Sequence, residues 1–583
     1  MLLARREGYW ENLDCRTAAL AQWCAANLLC LAVPLILLVL VLPPLLVLLL
    51  ASLRPAAAMP LDPGPFTLAN YVHLLSDGEV LQLALNTLGF AACSLALGLF
   101  LALPFVWLIE RTDMPWKTFL STLMFIPLVI PGMLTAFGWV LLLSPKTGFI
   151  NIWLRSLSPS QDAGPLDIYT FTGLVFLTGI SITPGMFIML SALFRNMDPL
   201  LEEAALASGS TTPSLLYRIT LPLMSPGVLS VAIYYTIILV EMFEIPLAIG
   251  LNANFPVLSI YIYGLIHSDY APPSFGLAGA FGVITVAIGF FLARIYQKFT
   301  AHAYRFAIIK GQRSARRLVR LGPWRYVALG LMLVYLALKV LLPFLALLWT
   351  SLFARWTPLT LSAFESMTLK VYALTFGDQR LVDASVNSMI LLLGAGTGTM
   401  LLATLISWIV VRRRGAVTQW LDALAFMPRA IPAVVISLGV SLCFIYTPLY
   451  GTIWLLIVGH IINFLPFAVR STNAALLQIH GEMEEASSVS GAGLAMTLRR
   501  IVMPLLSPAL WNGWLWVVAH SVRDFTFPLM LGTGSNIVIA QLLWQYWQGG
   551  MAERASALAV VLICFLVLFV FPVRYYISRQ RAF

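Results

Sequence analysis

Charged side chains are scarce in this sequence. Only 10% of the 583 residues are Asp, Glu, Lys or Arg, and 60% are hydrophobic, whereas soluble domains have about 25% charged residues. The six cysteines are scattered, with no Cys-x-x-Cys pair, so no disulfide framework or metal site is predicted. The apolar runs do not alternate with polar residues, which excludes a membrane β-barrel. An all-α polytopic membrane protein is therefore expected.

Twelve apolar segments are long enough, at about 20 residues, to cross the hydrocarbon core as helices. The first is too long for the apolar part of a cleavable signal peptide, so we expect it to be a membrane span. The predicted spans are 28–53, 86–109, 119–143, 172–194, 227–250, 277–296, 326–352, 387–411, 420–446, 452–474, 508–532 and 555–577.

The spans fall into two groups of six that correspond in sequence. These predict a first unit at 1–298, a linker at 299–323 and a second unit at 324–583. An even number of spans in each unit gives both units the same orientation, so the repeats are parallel. Matched pairs lie 301 residues apart (Asn86 and Asn387, Pro131 and Pro432) or 282 apart (Pro184 and Pro466, Gly209 and Gly491, Pro222 and Pro504, Pro246 and Pro528).

Loop charge predicts which side of the membrane each loop occupies. The linker 299–323 has several Lys and Arg residues and no acidic residue, and Arg412, Arg413 and Arg414 follow another span. Cytoplasmic loops are enriched in Lys and Arg, so both termini are predicted to be cytoplasmic and the loop 144–170 external. A lipid or nucleic-acid site is the alternative reading of the linker. Because topology accounts for the charge, we expect contact with membrane lipid and no nucleic-acid partner.

A polar loop with one spacing lies between the fourth and fifth spans of each unit. The first copy has Glu203, Ala204 and Ala205, then Gly209 and Pro222, and the second has Glu485, Ala486 and Ser487, then Gly491 and Pro504. The residues before each glycine favour a short helix that the glycine ends. The small residues allow another backbone to come close, and the glutamate offers a charge-assisted contact.

This pattern resembles the EAA loop of permease subunits in binding-protein-dependent ABC importers. Ser487 and Met503 are the two mild departures from the family pattern. The resemblance implies the type I importer fold and loops that dock as coupling helices on two copies of a cytoplasmic ABC ATPase. It also implies a periplasmic substrate-binding protein and a bacterial inner-membrane location. An ordinary amphipathic surface loop is the alternative.

The sequence has no Gly-x-x-x-x-Gly-Lys-Ser/Thr phosphate-binding loop, so ATP and Mg²⁺ are expected to be used by the partner ATPase. The chain is predicted to be a transport subunit, not an enzyme, and to bind no cofactor or metal itself. Two fused units resemble the ferric-iron permease group, whose relatives handle phosphonates, sugar phosphates, thiamine and polyamines. An ion-coupled secondary transporter and an intramembrane enzyme are the alternatives from other classes.

Ionisable residues inside predicted spans are costly and are therefore candidates for function. Glu241 and Glu244 lie in the fifth span, and Arg523 and Asp524 in its counterpart. In the resembled family these spans line the translocation path, so the four residues are expected to form a gate or pathway lining, or a structural ion pair between Glu241 and Arg523. Arg429 and Lys339 are weaker candidates of the same kind, and the alternative for Lys339 is that its ammonium group extends toward the membrane surface.

Overall fold

The computed structural model describes residues 31–157, 164–196, 205, 207–250, 255–267, 272–303, 319–413 and 415–580. These residues form helices and connecting loops, and their isolated β-bridge joins Thr112 and Val319. Nine helices are long and apolar enough to cross a membrane, or up to eleven if each of two bent pairs counts as one span. The chain is thus an all-helical, multi-pass membrane protein.

The first of two compact units comprises residues 1–51, 59–63 and 385–538. Its core includes Val33, Leu37 and Val41 from the first apolar helix, packed with buried residues of four later helices. Its helices are Leu31–Ser52, Gln379–Arg412, Ala416–Phe426, Met427–Ala430, Ala433–Phe444, Ile453–Leu476, Glu482–Val489, Leu494–Thr497, Leu498–Val502, Met503–Arg523 and Thr526–Leu531.

The second compact unit comprises residues 52–58, 64–384 and 539–583. Its helices are Ala69–Ser76, Gly78–Arg111, Lys117–Leu123, Ile126–Val129, Gly132–Leu143, Phe149–Leu157, Phe171–Asn196, Thr212–Leu215, Leu216–Thr220, Leu221–Val240, Glu244–Gly250, Leu258–His267, Phe275–Ala303, Trp324–Leu336, Ala337–Leu341, Leu342–Ser351, Leu361–Ser366, Lys370–Phe376, Ile539–Gln548 and Ala552–Gln580.

Two of the predicted spans are sharply bent. The segment that starts at Lys117 turns by 91° before Gly132, and the segment that starts at Thr418 turns by 109° before Ala433. Ile130 and Ile431, at the turns, are extended with ψ of 125° and 127°. Each precedes a proline, whose ring disfavours the α conformation in the residue before it. The predictions of single spans at 119–143 and 420–446 therefore missed a break in each.

The fifth predicted span of each unit is also interrupted. Helix Leu221–Val240 is followed by the short buried helix Glu244–Gly250, and Met503–Arg523 by the short buried helix Thr526–Leu531. The charged residues singled out from the sequence lie at these two interruptions.

Equivalent close contacts occur in the two compact units. A methyl group added to Gly138 would lie 2.6 Å from the carbonyl oxygen of Pro343, and one added to Gly439 would lie 2.7 Å from that of Pro44. At both places the backbones approach so closely that only glycine fits. The compact unit around the first sequence half therefore includes the helix Leu342–Ser351, from the start of the second half. The compact unit around the second sequence half includes the helix Leu31–Ser52, from the start of the first half. The compact units are defined by contacts and the sequence halves by corresponding residues, so the two divisions of the chain differ.

The matched asparagines make matched hydrogen bonds. The amide of Asn86 donates to the carbonyl oxygen of Pro256 at 3.3 Å, and that of Asn387 donates to the carbonyl oxygen of Ile537 at 3.0 Å. The helices that carry them, Gly78–Arg111 and Gln379–Arg412, each have 34 residues. The same residue type therefore ties the start of a long helix to the chain that follows the fifth span in both cases.

Candidate functional site: the EAA-type loops

The second EAA-type loop is folded as two short helical pieces. Helix Glu482–Val489 ends before Gly491, whose φ of 79° lies in the left-handed region. A methyl group on Gly491 would meet no atom within 4 Å, so the backbone angle alone requires glycine here. The predicted helix with its glycine stop is confirmed in this copy. The chain then passes through Leu494–Thr497 and Leu498–Val502 into the helix Met503–Arg523, with Pro504 in its first turn.

Helix Glu482–Val489 presents one face to the surroundings and attaches the other to the protein. Glu485 and Ala486 are exposed, as is Val489, an apolar side chain that is 88% exposed. Residues spaced three or four apart lie on one helix face. Glu484 and Ser487 are half-buried on the opposite face. The exposed face therefore combines a carboxylate with small and apolar groups.

Ser487, a departure from the family pattern, has a structural partner. Its hydroxyl forms a 2.9 Å hydrogen bond with the hydroxyl of Thr497. The Thr497 hydroxyl also donates to the carbonyl oxygen of Gly493 at 3.2 Å. The bond joins the two short helical pieces of the loop. The corresponding residues of the first copy, Ala205 and Leu215, are both apolar and buried. A polar pair in one copy thus stands where the other has an apolar pair.

The first EAA-type loop is described only in part. Glu203 and Ala204 lie outside the described residues. Gly209 has a φ of 83°, and the amide of Ser210 donates to the carbonyl oxygen of Ala205 at 3.0 Å. In the second copy the amide of Ala492 makes the same bond to Ser487 at 3.1 Å. The glycine stop is therefore alike in both loops, and Pro222 again lies in the first turn of the next helix, Leu221–Val240.

Glu241 and Glu244 flank the interruption of the fifth span in the first half. Both are half-buried, Glu241 as the cap of helix Leu221–Val240 and Glu244 in the first turn of helix Glu244–Gly250. A methyl group on Gly132 would lie 3.1 Å from Oε2 of Glu244. The carboxylate thus lies beside the first turn of helix Gly132–Leu143, where the helix dipole favours negative charge.

Asp524 lies at the corresponding interruption in the second half, next to Arg523, the last residue of its helix. Oδ1 of Asp524 accepts a hydrogen bond from the amide of Thr526 at 2.8 Å, and Oδ2 lies 3.5 Å from Nε2 of His460. His460 is fully buried. The carboxylate therefore starts the helix Thr526–Leu531 and faces an imidazole.

The chain matches known transport proteins. Residues 400–582 match the family described as "Binding-protein-dependent transport system inner membrane component". The chain is 28% identical to the "Probable ABC transporter permease protein y4fN" of Sinorhizobium fredii, over 69% of this chain and 71% of that one. It is 26% identical to the "Ferric transport system permease protein FbpB" of Actinobacillus pleuropneumoniae, over 87% of this chain and 73% of that one. The chain is thus similar over most of its length to permease proteins of ABC transporters.

One solved structure is similar to part of this chain. It is titled "Crystal structure of a bacterial ABC transporter involved in the import of the acidic polysaccharide alginate", with 16% identity and a TM-score of 0.33. The match covers 44% of this chain and 94% of that one. The matched family and the matched relatives are subunits of transport systems, and the family description implies a binding protein as a partner of its members.

His460 lies beside Asp524 and was not among the residues singled out from the sequence. The histidines are dispersed along the sequence, and none has ligand spacing to a neighbour. The feature that could have indicated His460 is an ionisable residue inside the predicted span 452–474. Among the described residues, no group of three or more His, Cys, Asp or Glu could hold a metal ion.

The alternative that the ammonium group of Lys339 extends to the membrane surface was wrong. Its side chain is buried, and its ammonium group donates to the hydroxyl of Ser181 at 2.8 Å. Nearby, the Tyr335 hydroxyl donates to the carbonyl oxygen of Ile180 at 2.9 Å. A lysine that finds a polar partner inside the protein has no need to reach the membrane surface.

Proposed function

We propose that the permease imports ferric iron, delivered by a periplasmic binding protein and driven by two copies of a cytoplasmic ABC ATPase that uses ATP and Mg²⁺. Support for the substrate comes from relatives named as ferric transport permeases in Actinobacillus pleuropneumoniae and Haemophilus influenzae. The observation that carries the coupling role is the attached helix Glu482–Val489 with its exposed Glu485.

The proposed architecture is the type I importer fold, with twelve membrane helices in two parallel repeats at 1–298 and 324–583. Three observations support it: equal lengths of the helices Gly78–Arg111 and Gln379–Arg412, matched hydrogen bonds of Asn86 and Asn387, and paired bends before Gly132 and Ala433. Helix Ala552–Gln580 would be the twelfth span, since its 29 residues exceed the roughly 20 needed.

The proposed location is the bacterial inner membrane, with both termini and the linker 299–323 in the cytoplasm. Loop charge supports this orientation. It also puts both EAA-type loops on the side where an ATPase could reach them. The helix Phe149–Leu157, in the loop after the third span, would then face the periplasm.

The coupling role is tested at the glutamates of the two loops. Replacing Glu203 and Glu485 together with Gln removes both carboxylates, and uptake should fall at least tenfold, since charge-assisted contacts are worth about 1.5–3 kcal/mol each. Radioactive ferric citrate uptake into cells with matched permease abundance is the measurement. Glu482→Gln, on the same exposed face outside the motif, is the matched control and should transport normally. Normal uptake by the double variant would refute the coupling role.

Uptake measurements in the same cells distinguish ferric iron from the alternative substrates. Other relatives are named as 2-aminoethylphosphonate and sulfate permeases, so a phosphonate is the leading alternative, ahead of sugar phosphates, thiamine and polyamines. Ferric iron uptake should depend on the intact chain and on Glu485. If the intact chain restores phosphonate uptake and leaves iron uptake unchanged, the substrate assignment is wrong and the permease assignment stands.

We further propose that Glu241, Glu244, Arg523 and Asp524 line or gate the translocation path. Their half-buried positions at helix interruptions support this, because an interrupted membrane helix is tolerated where it is buried in protein or lines a cavity. Glu241→Gln and Arg523→Gln should each reduce uptake. The exchange Glu241→Arg with Arg523→Glu should restore part of it if the two charges pair, and should stay as poor as the worse single variant if each contacts substrate.

A further inference from the structure

The inner face of helix Glu482–Val489 is tied to the end of a membrane helix. Nε of Arg412 lies 2.7 Å from Oε1 of Glu484, and the indole Nε1 of Trp408 donates to Oε2 of Glu484 at 3.3 Å. Nη2 of Arg412 also donates to the carbonyl oxygen of Ile479 at 2.9 Å. One arginine thus binds both the short helix and the chain that leads into it.

This tie is shielded from water on both sides. The side chains of Arg412 and Glu484 are 17% and 15% exposed. In the same compact unit, the ion pair between Arg470 and Asp422 has an arginine that is 51% exposed. Exposed pairs contribute little because water and salt screen them, whereas shielded charge-assisted hydrogen bonds are stronger. The Arg412–Glu484 pair is therefore the firmer of the two.

Apolar packing surrounds the same residues. Trp408 and Ile479 pack against a buried cluster of Leu476, Val502 and Leu506. Val502 and Leu506 belong to the segment that leads from the loop into the membrane helix Met503–Arg523. An eight-residue helix is too short to be stable alone. Its position therefore depends on these attachments.

The same three residue types recur in the first half of the chain. Trp107 and Arg111 lie 301 residues before Trp408 and Arg412, and Glu202 lies 282 residues before Glu484, which are the offsets of the two sequence halves. A spacing of four puts tryptophan and arginine on one helix face. The Arg111 guanidinium is buried and donates to the carbonyl oxygen of Phe194 at 3.1 Å. Glu202 lies outside the described residues.

We propose that Trp408, Arg412 and Glu484 are positioning residues that fix the second EAA-type loop to the second membrane helix of its half. A loop fixed in this way passes a displacement of its exposed face to that helix, whereas a loosely attached loop absorbs it. The inference rests on the proposed coupling function. It concerns the half-buried face of the short helix, opposite to the exposed Glu485.

The test compares variants of the complete permease, purified with its ATPase and reconstituted in lipid nanodiscs. Arg412→Gln and Glu484→Gln should each lower the ATP hydrolysis stimulated by ferric-loaded binding protein about tenfold, with the same amount of ATPase bound. The double variant should be no worse than either single variant, because the two groups act as one unit. The exchange Arg412→Glu with Glu484→Arg should recover severalfold over the single variants. Arg470→Gln, which breaks the exposed pair, should hydrolyse ATP normally.

A spectroscopic readout separates positioning from folding. Spin labels at Glu482 and at Thr404, in helix Gln379–Arg412, should give a narrow distance distribution in the parent and a broad one in Glu484→Gln. Unchanged stimulation and an unchanged distribution would overturn the proposal. If the amount of permease or of bound ATPase falls in proportion to the ATP hydrolysis, the residues are needed for folding or assembly, and the positioning proposal is also overturned. If Glu485→Gln uncouples and Arg412→Gln does not, the positioning role fails while coupling stands. If neither has an effect, the coupling function itself fails.

Discussion

Nε2 of His460 lies 3.5 Å from Oδ2 of Asp524, inside the compact unit formed around the second sequence half. Nδ1 of the same ring lies 2.8 Å from the carbonyl oxygen of Leu456. A carbonyl oxygen only accepts, so Nδ1 has the hydrogen, and Nε2 then faces a carboxylate oxygen. Two acceptors would repel each other, and one proton between them turns the contact into an attraction.

Asp524→Ala should therefore destabilise the permease by about 1–3 kcal/mol. It removes the side-chain acceptor of the Thr526 amide and the carboxylate next to the buried Nε2 of His460. Thermal unfolding in detergent at pH 7 is the measurement. His460→Gln serves as the partner variant, and a double variant that costs the sum of both singles would show that the residues do not interact.

Replacing Ser487 with Ala should weaken the second EAA-type loop by about 1 kcal/mol, the usual net value of one hydrogen bond. Combining Ser487→Ala with Thr497→Leu reproduces the residues of the first copy and should recover most of the loss, since Ala205 and Leu215 are buried there. Limited proteolysis of the loop in purified permease is the measurement. A double variant cleaved faster than the single one would contradict the equivalence of the two pairs.

Gly491→Ala should destabilise the same loop by about 1–2 kcal/mol, because an L-residue at a φ of 79° is strained. The empty space around the site excludes a steric clash. Gly491→Asn should cost less, since Asn tolerates the left-handed region better. Binding-protein-stimulated ATP hydrolysis should follow the same order, and equal values for both variants would exclude the conformational explanation. Gly481→Ala is the control, because that glycine has no positive φ.

Membrane orientation is tested by labelling single cysteines in a cysteine-free background. Thr147→Cys, in the loop 144–170, should react with an impermeant maleimide added to intact cells. Ser314→Cys, in the linker 299–323, should react only after the cells are opened. Labelling of position 314 from outside would reverse the orientation and would remove both EAA-type loops from the reach of an ATPase.

An ion network around Asp378 predicts a pH dependence of stability. Its Oδ2 lies 2.9 Å from Nη2 of Arg380 and accepts a hydrogen bond from the Tyr546 hydroxyl at 2.7 Å. The hydrogen bonds from Arg380, and secondarily from Tyr546, hold the pKa of the Asp378 carboxyl well below its usual range. A carboxyl with a lowered pKa in the folded state stabilises above its ordinary pKa of about 3.9, and this stabilisation is lost as the pH falls further.

Asp378→Asn should lower the melting temperature by about 1–3 °C at pH 7, a modest effect because the Arg380 side chain is 51% exposed. The difference from the parent should be constant between pH 7 and 5 and should shrink below about pH 4. Melting in detergent across this pH range is the measurement, with Asp383→Asn, in the helix Gln379–Arg412 that follows, as control. A difference that grows on acidification would show that the sign is wrong.

The amino-acid sequence determined the properties that depend on composition and local spacing. Apolar length indicated the membrane helices, because crossing hydrocarbon requires about 20 apolar residues whatever the neighbours are. The fixed spacing around Gly209 and Gly491 indicated the helix stops, because a left-handed backbone favours glycine locally. The residues of each EAA-type loop were recognisable for the same reason.

Properties that depend on distant residues were decided by the tertiary structure alone. Prolines at positions 131 and 432 permit either a kink or a sharp turn, and only packing makes the bends 91° and 109°. Lys339 was misjudged because its partner Ser181 is far away in sequence. The pairing of Arg412 with Glu484, and of His460 with Asp524, likewise needs two helices brought together. An ionisable side chain in a membrane protein is stabilised by whatever charge the fold places beside it, and sequence spacing does not specify that partner.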